Sequence, residues 1–147
     1  MNSFTIKQKK IRILIGIFLC LLILLNGCNE LATVTIITDR TVYISSMSSA
    51  RGIMLTPEFN AREKYAELEY LWQTEAGEFL SISYSGKETT NQGETVLWSA
   101  VQRDKSVEIN KAFEIKLEVI NKANSEVLAS TKITINGNKG LYEVEED

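Results

Sequence analysis

The sequence predicts an all-β fold, a single antiparallel β-sandwich that follows an apolar N-terminal leader. Three observations carry this. Phe113, Ile115, Leu117 and Val119 alternate with Glu114, Lys116 and Glu118, the period-two pattern of a strand with one buried and one wet face. Val127, Ala129, Thr131, Ile133 and Ile135 repeat the pattern after residues 121–125, Asn-Lys-Ala-Asn-Ser, a turn of ordinary hairpin length and composition. Far upstream, residues 32–38 (Ala-Thr-Val-Thr-Ile-Ile-Thr) are β-branched almost throughout and read as a strand. Apolar side chains from both ends of the chain, with Trp72 between them, can fill one core about 10 Å thick between two sheets. About 120 residues follow the leader, enough for one domain with a core of its own and too few for two.

The leader has three parts. Lys7, Lys9, Lys10 and Arg12 form a cationic cluster, residues 13–25 are apolar, and the stretch closes on Leu25-Asn26-Gly27-Cys28. That is the layout of an export signal, with a positive end, a short apolar segment and a small residue before the cut. It resembles the lipobox of bacterial lipoproteins. The resemblance implies cleavage between Gly27 and Cys28, a diacylglycerol thioether on Cys28, and a lipid anchor on the extracytoplasmic face of the cell membrane. The apolar run is 13 residues long, short of the roughly 20 that span a bilayer as a helix. Cys20 is no rival site, because Phe18 and Leu19 before it are too bulky. The expected organisation is a signal peptide over residues 1–27, a tether over 28–31, the sandwich over 32–142 and an acidic tail over 143–147.

Composition narrows the chemistry. Four of the 16 basic residues precede Cys28 and all 19 acidic ones follow it, so the chain from Cys28 onward carries a formal charge of −7. Such a domain has no electrostatic reason to seek nucleic acid, and its hold on a membrane would rest on the acyl chains alone. Histidine is absent, which excludes Ser-His-Asp and Cys-His catalysis, the usual zinc sites and the usual neutral-pH proton shuttle. With Cys28 acylated and Cys20 removed, no thiol remains for a disulfide or a nucleophile. Glu67 and Glu69 alternate with apolar residues and read as the wet face of a strand rather than a glycosidase pair. No Gly-rich phosphate loop appears. No catalytic residue, cofactor or metal site is expected, and the protein is not expected to be an enzyme.

The remaining elements follow in order. Asp39 and Arg40 break the first strand, and residues 41–45 form a short second one. Residues 45–52 are a polar, small-residue loop. A strand over 52–56 is stopped by Pro57, the only proline. Residues 60–73 admit two readings: helical spacing of Ala61, Tyr65, Leu68 and Trp72 behind a capping box, or a helical turn over 60–65 leading into a strand over 66–74. The second is preferred, with Gly77-Glu78-Phe79 following at hairpin distance. Residues 69–79 (Glu-Tyr-Leu-Trp-Gln-Thr-Glu-Ala-Gly-Glu-Phe) resemble the middle of a bacterial Ig-like or PKD-like domain. Residues 93–99, 113–119 and 127–135 are similar in order to its last strands. The resemblance implies an Ig-like antiparallel β-sandwich, although Gln73-Thr74-Glu75 replace the Asp-Phe-Gly-Asp that follows the PKD tryptophan.

Exposed aromatics stack on sugars or anchor interfaces, which singles out Trp72, Tyr84 and Trp98. Trp72 reads as core. Trp98 faces as Val96 does, and core is its preferred placement. Tyr84, at a strand end before Gly86, is the best candidate for exposure. Tyr84 and Trp98 are kept as candidate binding residues, with the polar loop over 85–94 beside them. Two functions are consistent with this: a lipid-anchored module that binds an envelope protein or glycan without chemistry, or an accessory lipoprotein subunit of a larger membrane assembly such as a transporter or sensor.

Overall fold

In the computed structural model, which describes residues 31–46, 51–81, 85–102 and 105–145, the folded unit begins at Ala32. Its strands are β1 (Val34–Thr38), β2 (Val42–Ile44), β3 (Ile53–Phe59), β4 (Leu68–Thr74), β5 (Glu78–Leu80), β6 (Ser85–Gly86) and β7 (Glu88–Asn91). They continue with β8 (Val96–Ser99), β9 (Val101–Gln102), β10 (Lys105–Ser106), β11 (Ala112–Asn121), β12 (Glu126–Asn138) and β13 (Leu141–Val144). One 3-10 turn, Arg62–Lys64, stands between β3 and β4. All pairings are antiparallel. A five-stranded sheet has the order β1-β3-β8-β5-β6, a six-stranded sheet the order β2-β13-β12-β11-β4-β7, and β9 and β10 form a separate hairpin. The all-β antiparallel sandwich is therefore the fold.

The chain changes sheet where its side chains make it do so. After β1 the Asp39 carboxylate accepts the Met54 N–H (2.8 Å) and binds Arg40, while the Asp39 N–H donates to the Met54 carbonyl (3.1 Å). Two residues later the Thr41 carbonyl accepts the Val144 N–H in the other sheet (2.8 Å). The crossings β3 to β4 and β8 to β11 interlock the two sheets, because β3 neighbours β8 in one sheet and β4 neighbours β11 in the other.

Five expectations need correction. Pro57 does not stop β3, which runs on to Phe59. The N–H groups of Met54 and Asn60 point toward β1, so by alternation Pro57 faces the other edge, where pairing with β8 has already ended at Leu55. Its missing donor costs no ladder bond. Residues 75–77 are not a hairpin turn but an arch, because β4 and β5 lie in different sheets. The polar loop over 85–94 contains β6 and β7, and the chain passes between sheets at Lys87, whose carbonyl accepts the Thr74 N–H (2.9 Å). Val127 is 51% exposed. A bulge leaves Leu128 unpaired, so Val127 stands opposite outward-facing Ile120 while Ala129 stands opposite buried Val119. Finally, the residues from Glu143 onward do not all form a tail, because Glu143 and Val144 belong to β13, which pairs with both β12 and β2.

The core is aromatic. Trp72, Trp98, Tyr43, Tyr70, Tyr142, Phe79 and Phe113 are all buried, with Ile53, Leu55, Ile115, Leu117 and Ile135 packed among them. Trp98 contacts the Phe113 ring (centroids 5.2 Å) and meets Tyr142 edge-on (5.4 Å), and Tyr142 stacks on Tyr43 (5.7 Å). Such pairs add about 0.5–1.5 kcal/mol beyond their buried area. The outer face of the six-stranded sheet is charged, with Lys132 on Glu114 and Lys116 on Glu118. Exposed pairs of this kind contribute at most about 1 kcal/mol.

Candidate functional site

Of the residues singled out from sequence, Gly27, Cys28 and Tyr84 lie outside the described residues. Trp98 lies at the centre of the core and is fully buried, out of reach of a ligand on the surface. Its Nε1 donates to the Ala76 carbonyl (2.8 Å), which also accepts the Thr74 hydroxyl (2.6 Å). The arch over 75–77 thus closes on the indole. Gly77 has φ +73°, and a Cβ there would lie 2.6 Å from Trp98 Cε2, Cζ2 and Nε1. On the strand's other flank, a Cβ at Gly52 would lie 1.8 Å from the Trp98 carbonyl oxygen. Trp98 therefore serves assembly, not recognition.

A different part of the molecule is concave. The 3-10 turn, the turn after β7 and the β11–β12 turn enclose a cleft of about 520 Å³ lined by Arg62, Tyr65, Ala66, Glu67, Leu68, Gln92 and Lys122. A second cleft, of about 430 Å³, is lined by residues that include Thr33, Thr35, Phe59, Arg62 and Tyr70. Arg62 lines both. Its Nη2 donates to the Gln92 carbonyl (3.3 Å). That carbonyl is held in place because the turn is tied internally: the Gln92 N–H donates to the Glu94 carboxylate (2.7 Å), the Gly93 N–H to Asn91 Oδ1 (3.0 Å), and Asn91 Nδ2 to the Glu94 carbonyl (2.8 Å). On the other wall the Lys122 N–H donates to the Glu67 carbonyl (3.2 Å), and Lys122 Nζ stands 3.8 Å from Glu69 Oε2.

Each cleft also has an aromatic side chain in its lining. Phe59 lines the second cleft and Tyr65 the first; both are half-buried, with centroids 6.3 Å apart and planes tilted by 33°. Tyr70 reaches the second cleft from the core. Burial raises its hydroxyl above the ordinary value, and the Arg62 charge offsets part of that rise. Comparison of the chain with family models, curated proteins and solved structures gives no match. The chemistry must be read from the side chains themselves. Among the described residues no three His, Cys, Asp or Glu side chains come together to hold a metal ion, and no helix is long and apolar enough to cross a membrane.

The two clefts bring together the cations Arg62 and Lys122, the acids Glu58 and Glu67, Thr33 and Thr35, and the half-buried Phe59 and Tyr65. Sequence reasoning missed this set. In the sequence Tyr65 only closes the helical turn over 60–65, and Arg62, Gln92 and Lys122 lie 30 residues apart in the chain with no local pattern. The single signal was a cation, Arg62, between two aromatics in a turn.

Proposed function

We propose that this protein is a lipid-anchored extracytoplasmic module that binds an envelope protein or glycan without catalysing a reaction. The observation that carries the anchor is the run of residues 7–28, a cationic cluster, 13 apolar residues and Gly27-Cys28. The clefts around Arg62 support the binding half, since they are concave and bring a guanidinium together with Tyr65 and Phe59. In cells fed radiolabelled palmitate, the wild-type protein incorporates label and Cys28→Ala does not. Label on the Cys28→Ala protein would overturn the anchor.

A second reading, an accessory subunit of a larger membrane assembly, is favoured by one feature. On the outer face of the five-stranded sheet Met54, Leu97 and Leu80 stand side by side across β3, β8 and β5, and Met54 is 47% exposed. Crosslinking in intact cells separates the two, because a stoichiometric protein complex held through Met54 supports the subunit reading and sinks the free module.

A further inference from the structure

We infer that the ligand of the Arg62 clefts is a carboxylate-bearing sugar, with the Arg62 guanidinium on the carboxylate and the Tyr65 and Phe59 rings against the sugar faces. This rests on the reading of the protein as a binding module and names the ligand class of that same site.

Arg62 is the first reason. Among the described residues the ion pairs are Arg40 with Asp39, Lys116 with Glu118, Lys122 with Glu69, and Lys132 with Glu114. Among the described residues Arg62 has no carboxylate partner; the same holds for Arg51, Lys64, Lys87, Lys111 and Lys139, but none of those lines either cleft. A guanidinium carries five N–H donors in a fixed fork, and here one contact is made, to the Gln92 carbonyl (3.3 Å). An oxyanion with two oxygens in a plane matches the rest of the fork. Lys122, on the opposite wall of the same cleft, is paired with Glu69 at 3.8 Å, and Glu67 and Glu58 also belong to the two linings, so Arg62 is the cation of these linings without an ion pair among the described residues.

The rings are the second reason. Tyr65 lines the first cleft and Phe59 the second; both are half-buried, with centroids 6.3 Å apart, and Phe59 also packs against the core. The Thr33 and Thr35 hydroxyls line the second cleft beside Phe59, where sugar hydroxyls would be exchanged for water. A hexaglutamate chain would use the guanidinium and leave both rings without a flat partner. A neutral glycan would use the rings and leave the fork unfilled. A sugar that carries a carboxylate uses both.

The test uses the full-length protein in detergent micelles, titrated calorimetrically with three acid sugars: tetragalacturonate, sialyllactose and a muramyl disaccharide. Their methyl esters and hexaglutamate serve as controls. At least one acid sugar should bind, with its ester weaker by about tenfold or more. Loss of a charge-assisted fork in Arg62→Gln should weaken binding by roughly ten- to a hundredfold, and Tyr65→Ala should weaken it independently. Arg62 is exposed, so the Arg62→Gln circular dichroism spectrum should match the wild type. The inference is overturned if none of the acid sugars binds, if esters bind equally, if hexaglutamate binds as well as the acid sugars, or if Arg62→Gln binds undiminished. Binding of the esters or of hexaglutamate in place of the acid sugars sinks the ligand class and keeps the binding module, whereas a stoichiometric complex crosslinked through Met54 sinks the module itself.

Discussion

Gly77→Ala tests the account of the core at its tightest point. Two costs arise there. An alanine at φ +73° sits in the left-handed region at about 1–2 kcal/mol. Its Cβ would also stand 2.6 Å from three atoms of the Trp98 indole. That ring cannot step back, because it is fully buried, packed on Phe113 and Tyr142, and held at 2.8 Å on the Ala76 carbonyl. Overpacking of this kind costs about 1–3 kcal/mol, so the substitution should cost about 2–5 kcal/mol in all. Trp98→Leu removes the three clashing atoms. In that background Gly77→Ala should cost only the backbone part, about 1–2 kcal/mol, and the double-mutant cycle should show a coupling of about 1–3 kcal/mol between the positions. Urea unfolding of the full-length protein in mild detergent, followed by circular dichroism, measures all four species. A Gly77→Ala cost below about 0.5 kcal/mol, or the same cost in both backgrounds, would refute the packing argument.

Other outcomes follow from the same geometry. Trp72→Ala should cost about 3–5 kcal/mol, since the side chain is fully buried against Phe79; a near-neutral shift in the urea midpoint would place it at the surface. Burial raises the Tyr43, Tyr70 and Tyr142 hydroxyls above their ordinary value of 10.0, with nearby hydrogen bonds or the Arg62 charge offsetting part of the rise. The folded chain therefore keeps these protons after the unfolded chain has released them, so stability holds below about pH 10 and falls as pH rises beyond it. Tyrosinate absorbance from these three should appear together with loss of circular dichroism. Ionisation near pH 10 with the spectrum intact would contradict their burial.

Much of the fold was legible because its signals are local. The β11–β12 hairpin announces itself through alternation on both strands and an Asn-rich turn, and the structure places Phe113, Ile115, Leu117 and Val119 on the buried face. The passage from a helical turn into β4 was also readable, since Leu68, Tyr70 and Trp72 alternate over the strand. The failures are of another kind. Whether residues 75–77 make a hairpin or an arch depends on Trp98, 22 positions further on, reaching the Ala76 carbonyl. The bulge at Leu128 shifts Val127 outward without changing the pattern of residue types. Glu143 looked like the start of an acidic tail because its neighbour Tyr142 buries against Trp98 and Tyr43, which are remote in the chain. The clefts depend on three turns far apart in sequence, so Arg62 gave no sign of its neighbours.

The pairing of β13 with β2 sets the order in which this molecule can be finished. Tyr43 stands opposite Tyr142 across that pairing, so β2 has no seat in its sheet until the closing residues of the chain have been delivered. A polypeptide emerging from a ribosome can form the β11–β12 hairpin early, because its contacts are close in sequence. It cannot complete the larger sheet before synthesis has reached Val144. Until then β2 stays without a partner strand, although β1 can already pair with β3.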